Sequence, residues 1–98
     1  MENKSESSKN RSIISVVGKD TVGIIAKVCT YLSRSNINVL DISQTILSGF
    51  FTMMMIVDLS GSDKPFDQVQ KELSQIGEEI GVEIKCQREE IFEMMHRV

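Results

Sequence analysis

Tryptophan is absent from this chain of 98 residues, proline and histidine occur once each, and cysteine occurs twice. Cys29 and Cys86 stand far apart, each inside an apolar pattern. They read as buried, reduced thiols, because a metal site needs more ligands at closer spacing. The single histidine, His96, lies near the chain end, where it suits a helix terminus or solvent and offers no base for a catalytic pair. No apolar run approaches the roughly 20 residues that cross a bilayer. The opening MENKSESSKN lacks the apolar core of a signal peptide, so a cytoplasmic location is expected, with a disordered polar tail over residues 1–11. A basic excess is missing too. The net charge of −3 argues against nucleic acid or an anionic membrane as partner.

What is present is ordinary for one soluble globular domain: 41% hydrophobic and 26% charged residues. The stretch Val17 to Ile25 organises the rest. A β-branched run over Ser12–Val17 leads into a turn with Gly18, Asp20 and Gly23, and an apolar helical pattern follows. Asp20 is placed to cap that helix, and its N-terminus favours an anion. The helix is expected over Thr21–Ser35, with Ile25, Val28, Cys29 and Leu32 as its buried stripe. A second strand covers Asn38–Leu47. Its mixed parity hints at a bulge. Ser48-Gly49 reads as a two-residue hairpin turn. The third strand, Phe50–Leu59, is so apolar that it should lie centrally, covered on both faces. Pro65 suits the first position of a second helix marked by Phe66, Val69, Leu73, Ile76 and Ile80, which Gly81 ends. Val82, Ile84 and Cys86 alternate with Glu83, Lys85 and Gln87, a half-wet strand near an edge. Ile91, Met94, Met95 and Val98 mark a short amphipathic helix over residues 89–98.

The order βαββαβ predicts an α+β, ferredoxin-like sandwich: a four-stranded antiparallel sheet with both long helices on one face. The methionines Met53–Met55 fill the core or an adaptable interface. Because two helices cover one sheet face only, the terminal helix or a second subunit must shield the other.

Chemical motifs are weak. Gly18-x4-Gly23 starts like a phosphate-binding loop, but Ile24 and Ile25 stand where lysine and a hydroxyl belong. The first turn has no C-x-x-C for metal transfer and no arginine for acyl phosphate, only Lys19. Phe50 and Phe51 lack the basic surroundings of an RNA-binding sheet. The carboxylate neighbours Glu78-Glu79 and Glu89-Glu90 point apart on a helix. No catalytic constellation emerges, so the chain reads as non-enzymatic, with no cofactor or metal implied.

The pattern V-x-G-x-D-x-x-G-I-x-A-x-V at Val16–Val28, followed by N-I-N-V-L-D-I-S-Q at Asn36–Gln44, resembles an ACT domain. The likeness spans about Ile13 to Gln87, and within the family it is nearest to small stand-alone bacterial members. The domain proper would then occupy residues 12–88. The resemblance implies a regulatory module whose ligand, typically an amino acid, sits between the first turn of one subunit and the second strand of its neighbour in a homodimer. By position it implicates Gly18, Asp20 and Gly23, with the N–H groups of Thr21, Val22 and Gly23, on one side and Asn38 on the other. Val22 stands where such turns often carry proline. A protein-interaction module with no small ligand is the alternative.

Overall fold

A computed structural model describes residues 11–19 and 23–89. The polar segment 1–10, the turn residues Asp20, Thr21 and Val22, and the expected stripe Ile91, Met94, Met95 and Val98 lie outside the described residues.

Among the described residues six elements follow the expected order: β1 (Arg11–Lys19), α1 (Ile24–Arg34), β2 (Asn38–Leu47), β3 (Phe50–Asp58), α2 (Phe66–Ile80) and β4 (Glu83–Arg88). The strands form one antiparallel sheet in the order β2-β3-β1-β4. β4 is an edge, as its alternation predicts, and β2 is the other.

Turn chemistry places the elements. Ser48 and Gly49 both take positive φ (54° and 82°), the geometry that matches the twist of a two-residue hairpin. α1 ends where Asn36 turns left-handed (φ 58°), and the Ile37 N–H returns to the Leu32 carbonyl at 2.9 Å. Gly81 (φ 79°) closes α2 in the same way. The bulge in β2 falls between Val39 and Asp41.

α1 starts at Ile24, three residues later than expected. Gly23 occupies the cap position in a left-handed conformation (φ 93°), and among the described residues no side chain caps the helix. The cap position itself is thus Gly23, and the capping role expected of Asp20 falls on a residue outside the described ones. The buried stripe is correspondingly Ile24, Val28 and Leu32, while Ile25 is 39% exposed and Cys29 half-buried. Pro65 also sits one position earlier than expected. It is extended (ψ 161°) at the cap of α2, and its carbonyl accepts the Gln68 and Val69 N–H groups at 3.1 Å each.

The core lies between the helices and one face of the sheet. Ile14, Val16, Met53, Met55, Val57, Ile84 and Cys86 from the strands meet Ile24, Val28 and Leu32 of α1 and Val69 and Leu73 of α2. The expectation that β3 is covered on both faces is corrected. Phe51, Met53, Met55 and Val57 are buried, but on the other face Phe50 and Thr52 are exposed and Met54 and Ile56 half-buried. Composition alone cannot separate a two-sided strand from one whose second face awaits a cover.

Candidate functional site

The β1–α1 connection is built by close backbone approach. Gly18 pairs with Phe51 across the sheet, and a Cβ built on it would stand 2.7 Å from the Val82 Cγ1. Glycine is therefore required at this position for packing. Gly23 differs: a Cβ there meets nothing within 4 Å, so only its positive φ calls for glycine, and the space above it is open. The first bond of α1 runs from the Lys27 N–H to the Gly23 carbonyl at 2.9 Å. The N–H groups of Ile24, Ile25 and Ala26 precede it and have no partner within the helix. Amides of the helix start thus lie just beyond Gly23; those expected at Thr21 and Val22 fall outside the described residues.

Asn38 is exposed and pairs with Asp58, whose other neighbour is Arg11. Gly18 pairs with Phe51 of the same strand, seven residues away. At about 3.3 Å per residue the two lie about 23 Å apart along the sheet, so one protomer does not bring Gly18 and Asn38 together. β2 itself is exposed at all ten positions. Val39, Leu40, Ile42, Ile46 and Leu47 are all solvent-accessible, with Leu47 72% exposed. Asp41 is the one charge on this edge, so apart from the bulge beside it little discourages pairing.

A cleft of about 610 Å³ runs between the helices, lined by Gly23, Lys27, Tyr31 and Arg34 on the α1 side and by Ile76 and Glu79 on α2. Of the expected site residues that are described, Gly18, Gly23 and Asn38, only Gly23 reaches it. Lys27 and Arg34 look, in the sequence, like the wet side of α1. The periodicity locates that face but not the gap between two helices.

Below the cleft a polar cluster ties α1 to α2. The Tyr31 hydroxyl donates to Glu72 Oε1 at 2.7 Å, the Lys64 ammonium donates to the same oxygen at 2.7 Å, and Gln68 Nε2 donates to Oε2 at 2.9 Å. The Lys64 ammonium also stands 4.8 Å from the Tyr31 ring centroid. Hydrogen bonds from Lys64 first, then Gln68 and Tyr31, hold the Glu72 carboxyl down at about 2. Burial, then the bond to Glu72, pushes the Tyr31 phenol well above its usual range. Burial raises the Cys86 thiol to about 11. Near neutral pH these groups therefore stay carboxylate, phenol and thiol, and none is poised to exchange a proton. Among the described residues no three His, Cys, Asp or Glu side chains converge as a metal site, and no helix is long and apolar enough to cross a membrane.

The ACT-domain family model matches residues 10–87. A UPF0237 protein from Bifidobacterium longum is 63% identical over 89 residues, covering 91% of this chain and 99% of that protein. Among solved structures, an ACT domain protein from Streptococcus pneumoniae superimposes with a TM-score of 0.74 at 40% identity, covering 85% of this chain and 93% of that one. The ligand-free regulatory subunit of aspartate kinase from Thermus thermophilus shares the fold, with a TM-score of 0.63 at 24% identity over 82% of this chain and 52% of that one. The chain belongs to the ACT-domain family, whose members are regulatory small-ligand-binding domains.

Proposed function

We infer that this chain is a non-enzymatic regulatory module that binds an amino acid at a site shared by two copies. The observation that carries the reading is β2: a ten-residue edge strand, exposed throughout and rich in apolar side chains. Two such edges paired antiparallel about a two-fold axis place the partner's Asn38 at the Leu47 end of β2. Leu47 pairs with Phe50, and Phe50 with Lys19, so that end also carries the β1–α1 turn. Dimerisation thus supplies what one protomer lacks, an amide side chain facing the start of α1. The free N–H groups beyond Gly23 and the positive end of the helix dipole suit a carboxylate. The side-chain oxygen of the partner's Asn38, or Asp20, suits an ammonium.

The test is thermal melting with each of the twenty amino acids, alongside light scattering. A ligand at about 100 times its Kd stabilises by about 2.7 kcal/mol, or roughly 10 °C for a domain of this size. A dimer at micromolar concentration and one such rise are expected. Asn38→Ala should reduce the rise without unfolding the protein. A monomer up to millimolar concentration contradicts the shared site. A dimer that no amino acid stabilises favours the other reading, in which β2 pairs with a protein partner by strand addition.

A further inference from the structure

We propose that the cleft between the β3–α2 loop, the start of α2 and the adjoining ends of β1 and β4 binds a phosphate group. It does not rest on the amino-acid reading, since it lies at the opposite end of β1 from Gly18.

The cleft measures about 280 Å³ and is lined by Ser12, Ser60, Ser62, Lys64, Phe66 and Arg88, among others, with no carboxylate on its wall. Asp63 and Asp67 are close in sequence, but neither lines it. Its floor is Ser12, a residue only 2% exposed on the core side of β1. The Ser12 hydroxyl has no hydrogen-bond partner among the described residues and is not one of the fully enclosed atoms left alone, so it opens into the cleft as a donor. A donor at the floor of a cleft is open to a group that arrives from outside.

Arg88 stands directly across the strands from Ser12. Its guanidinium stacks 4.5 Å from the Phe66 ring centroid and forms no ion pair with a described carboxylate. Stacking fixes the plane of the fork and leaves its in-plane N–H groups free for an oxyanion. At the rim, the charge of Lys64 is already matched by Glu72 at 2.7 Å, so the cleft's uncompensated charge is that of Arg88.

The remaining groups are donors as well. Ser62 Oγ accepts from the Lys64 N–H at 3.1 Å, which leaves its own O–H to donate. Pro65 has no N–H, and the amide of Phe66, which lines the cleft at the head of α2, is ahead of the first bonds, from Gln68 and Val69. Donors from a strand, a loop and a helix terminus converge from three sides. A tetrahedral acceptor with several oxygens meets all three, and a planar carboxylate meets fewer. Free phosphate and a small phosphomonoester share this chemistry.

The experiment is an amide and arginine side-chain NMR titration of the full chain with inorganic phosphate, at fixed pH and with ionic strength held by sodium chloride. A second arm uses glycerol phosphate. Saturable shifts are expected at Ser12, Ser60–Lys64, Phe66, Asp67 and the Arg88 Nε, with Gly18 and Gly23 unmoved. Tighter binding in the second arm assigns the site to a phosphomonoester, and equal or weaker binding assigns it to free phosphate. Arg88→Gln should weaken binding about tenfold or more, as for a charged hydrogen bond. Ser12→Ala should melt no lower than the parent chain in phosphate-free buffer while binding phosphate more weakly. Shifts that never saturate, or saturable binding unchanged in both variants, overturn the proposal.

Discussion

Gly18 and Val82 touch so closely that no side chain fits between them: a Cβ on Gly18 would lie 2.7 Å from Val82 Cγ1 and 3.2 Å from its Cα. Val82 also hands its N–H to the Gly77 carbonyl at 2.9 Å, and a Cβ on Gly77 would come within 2.6 Å of the Val82 carbonyl oxygen. One valine thus locks the end of β1 to the end of α2, and two glycines make room for it.

Gly18→Ala should therefore cost about 1–3 kcal/mol, the range for forcing extra atoms into a packed site. Val82→Ala in the same chain removes the nearest clashing atom, so the double variant should lose less than the sum of the two single losses. Chemical denaturation of the four proteins measures that coupling. Strict additivity would mean that the two residues do not meet as described.

Tyr31 is the chain's one tyrosine, and there is no tryptophan to obscure its absorbance. Burial and its bond to Glu72 favour the neutral phenol in the folded state. The resulting stability is whole below pH about 10 and is lost as pH rises beyond it. At pH 10, where a free tyrosine is half ionised, ultraviolet titration of the folded chain should show little phenolate. Glu72→Gln should bring the midpoint down only in part, because burial is the larger cause. A midpoint near 10 in the parent chain would contradict the packing of Tyr31 against α2.

Glu72 works in the opposite sense. Its carboxyl is lowered from 4.5 to about 2, so the folded chain prefers the ionised form. That contribution is whole above pH about 4.5 and fades as pH falls through about 2. Glu72→Gln should be less stable than the parent chain at pH 7, and the gap should shrink on acidification through that window. A gap that stays constant down to pH 2.5 would locate the loss elsewhere.

Much of the fold is legible in the sequence because its signals are local. Ser48-Gly49, Asn36 and Gly81 announce turns through residues that tolerate positive φ, and Val69 and Leu73 announce a helix face through spacing. The start of α1 is misread for the same local reason. Asp20 has the chemistry of a cap, but the left-handed Gly23 sets the helix boundary, and glycine carries no signal that separates a cap from a close approach. Gly18 and Gly23 look alike in the sequence and need glycine for different causes, one tertiary and one conformational. The inter-helix cleft and the partnerless Ser12 depend on how distant segments meet. The serines and lysine around them read as ordinary loop polarity, so no spacing reveals either.

The claim at the centre of this account is that one site draws on two chains, Gly23 from one and Asn38 from the other. Mixing two defective variants tests it most directly. Gly23→Asn fills the open space above the turn with a residue that tolerates left-handed backbone, and Asn38→Ala removes the partner's amide. Each alone should bind poorly the amino acid that most raises the parent chain's Tm. After unfolding and refolding together, half the dimers are mixed, and each mixed dimer holds one site with both native residues. Calorimetric titration of the mixture should then recover about a quarter of the native sites at native affinity, as two-fold symmetry requires. A mixture that binds no better than its two components would contradict a shared site.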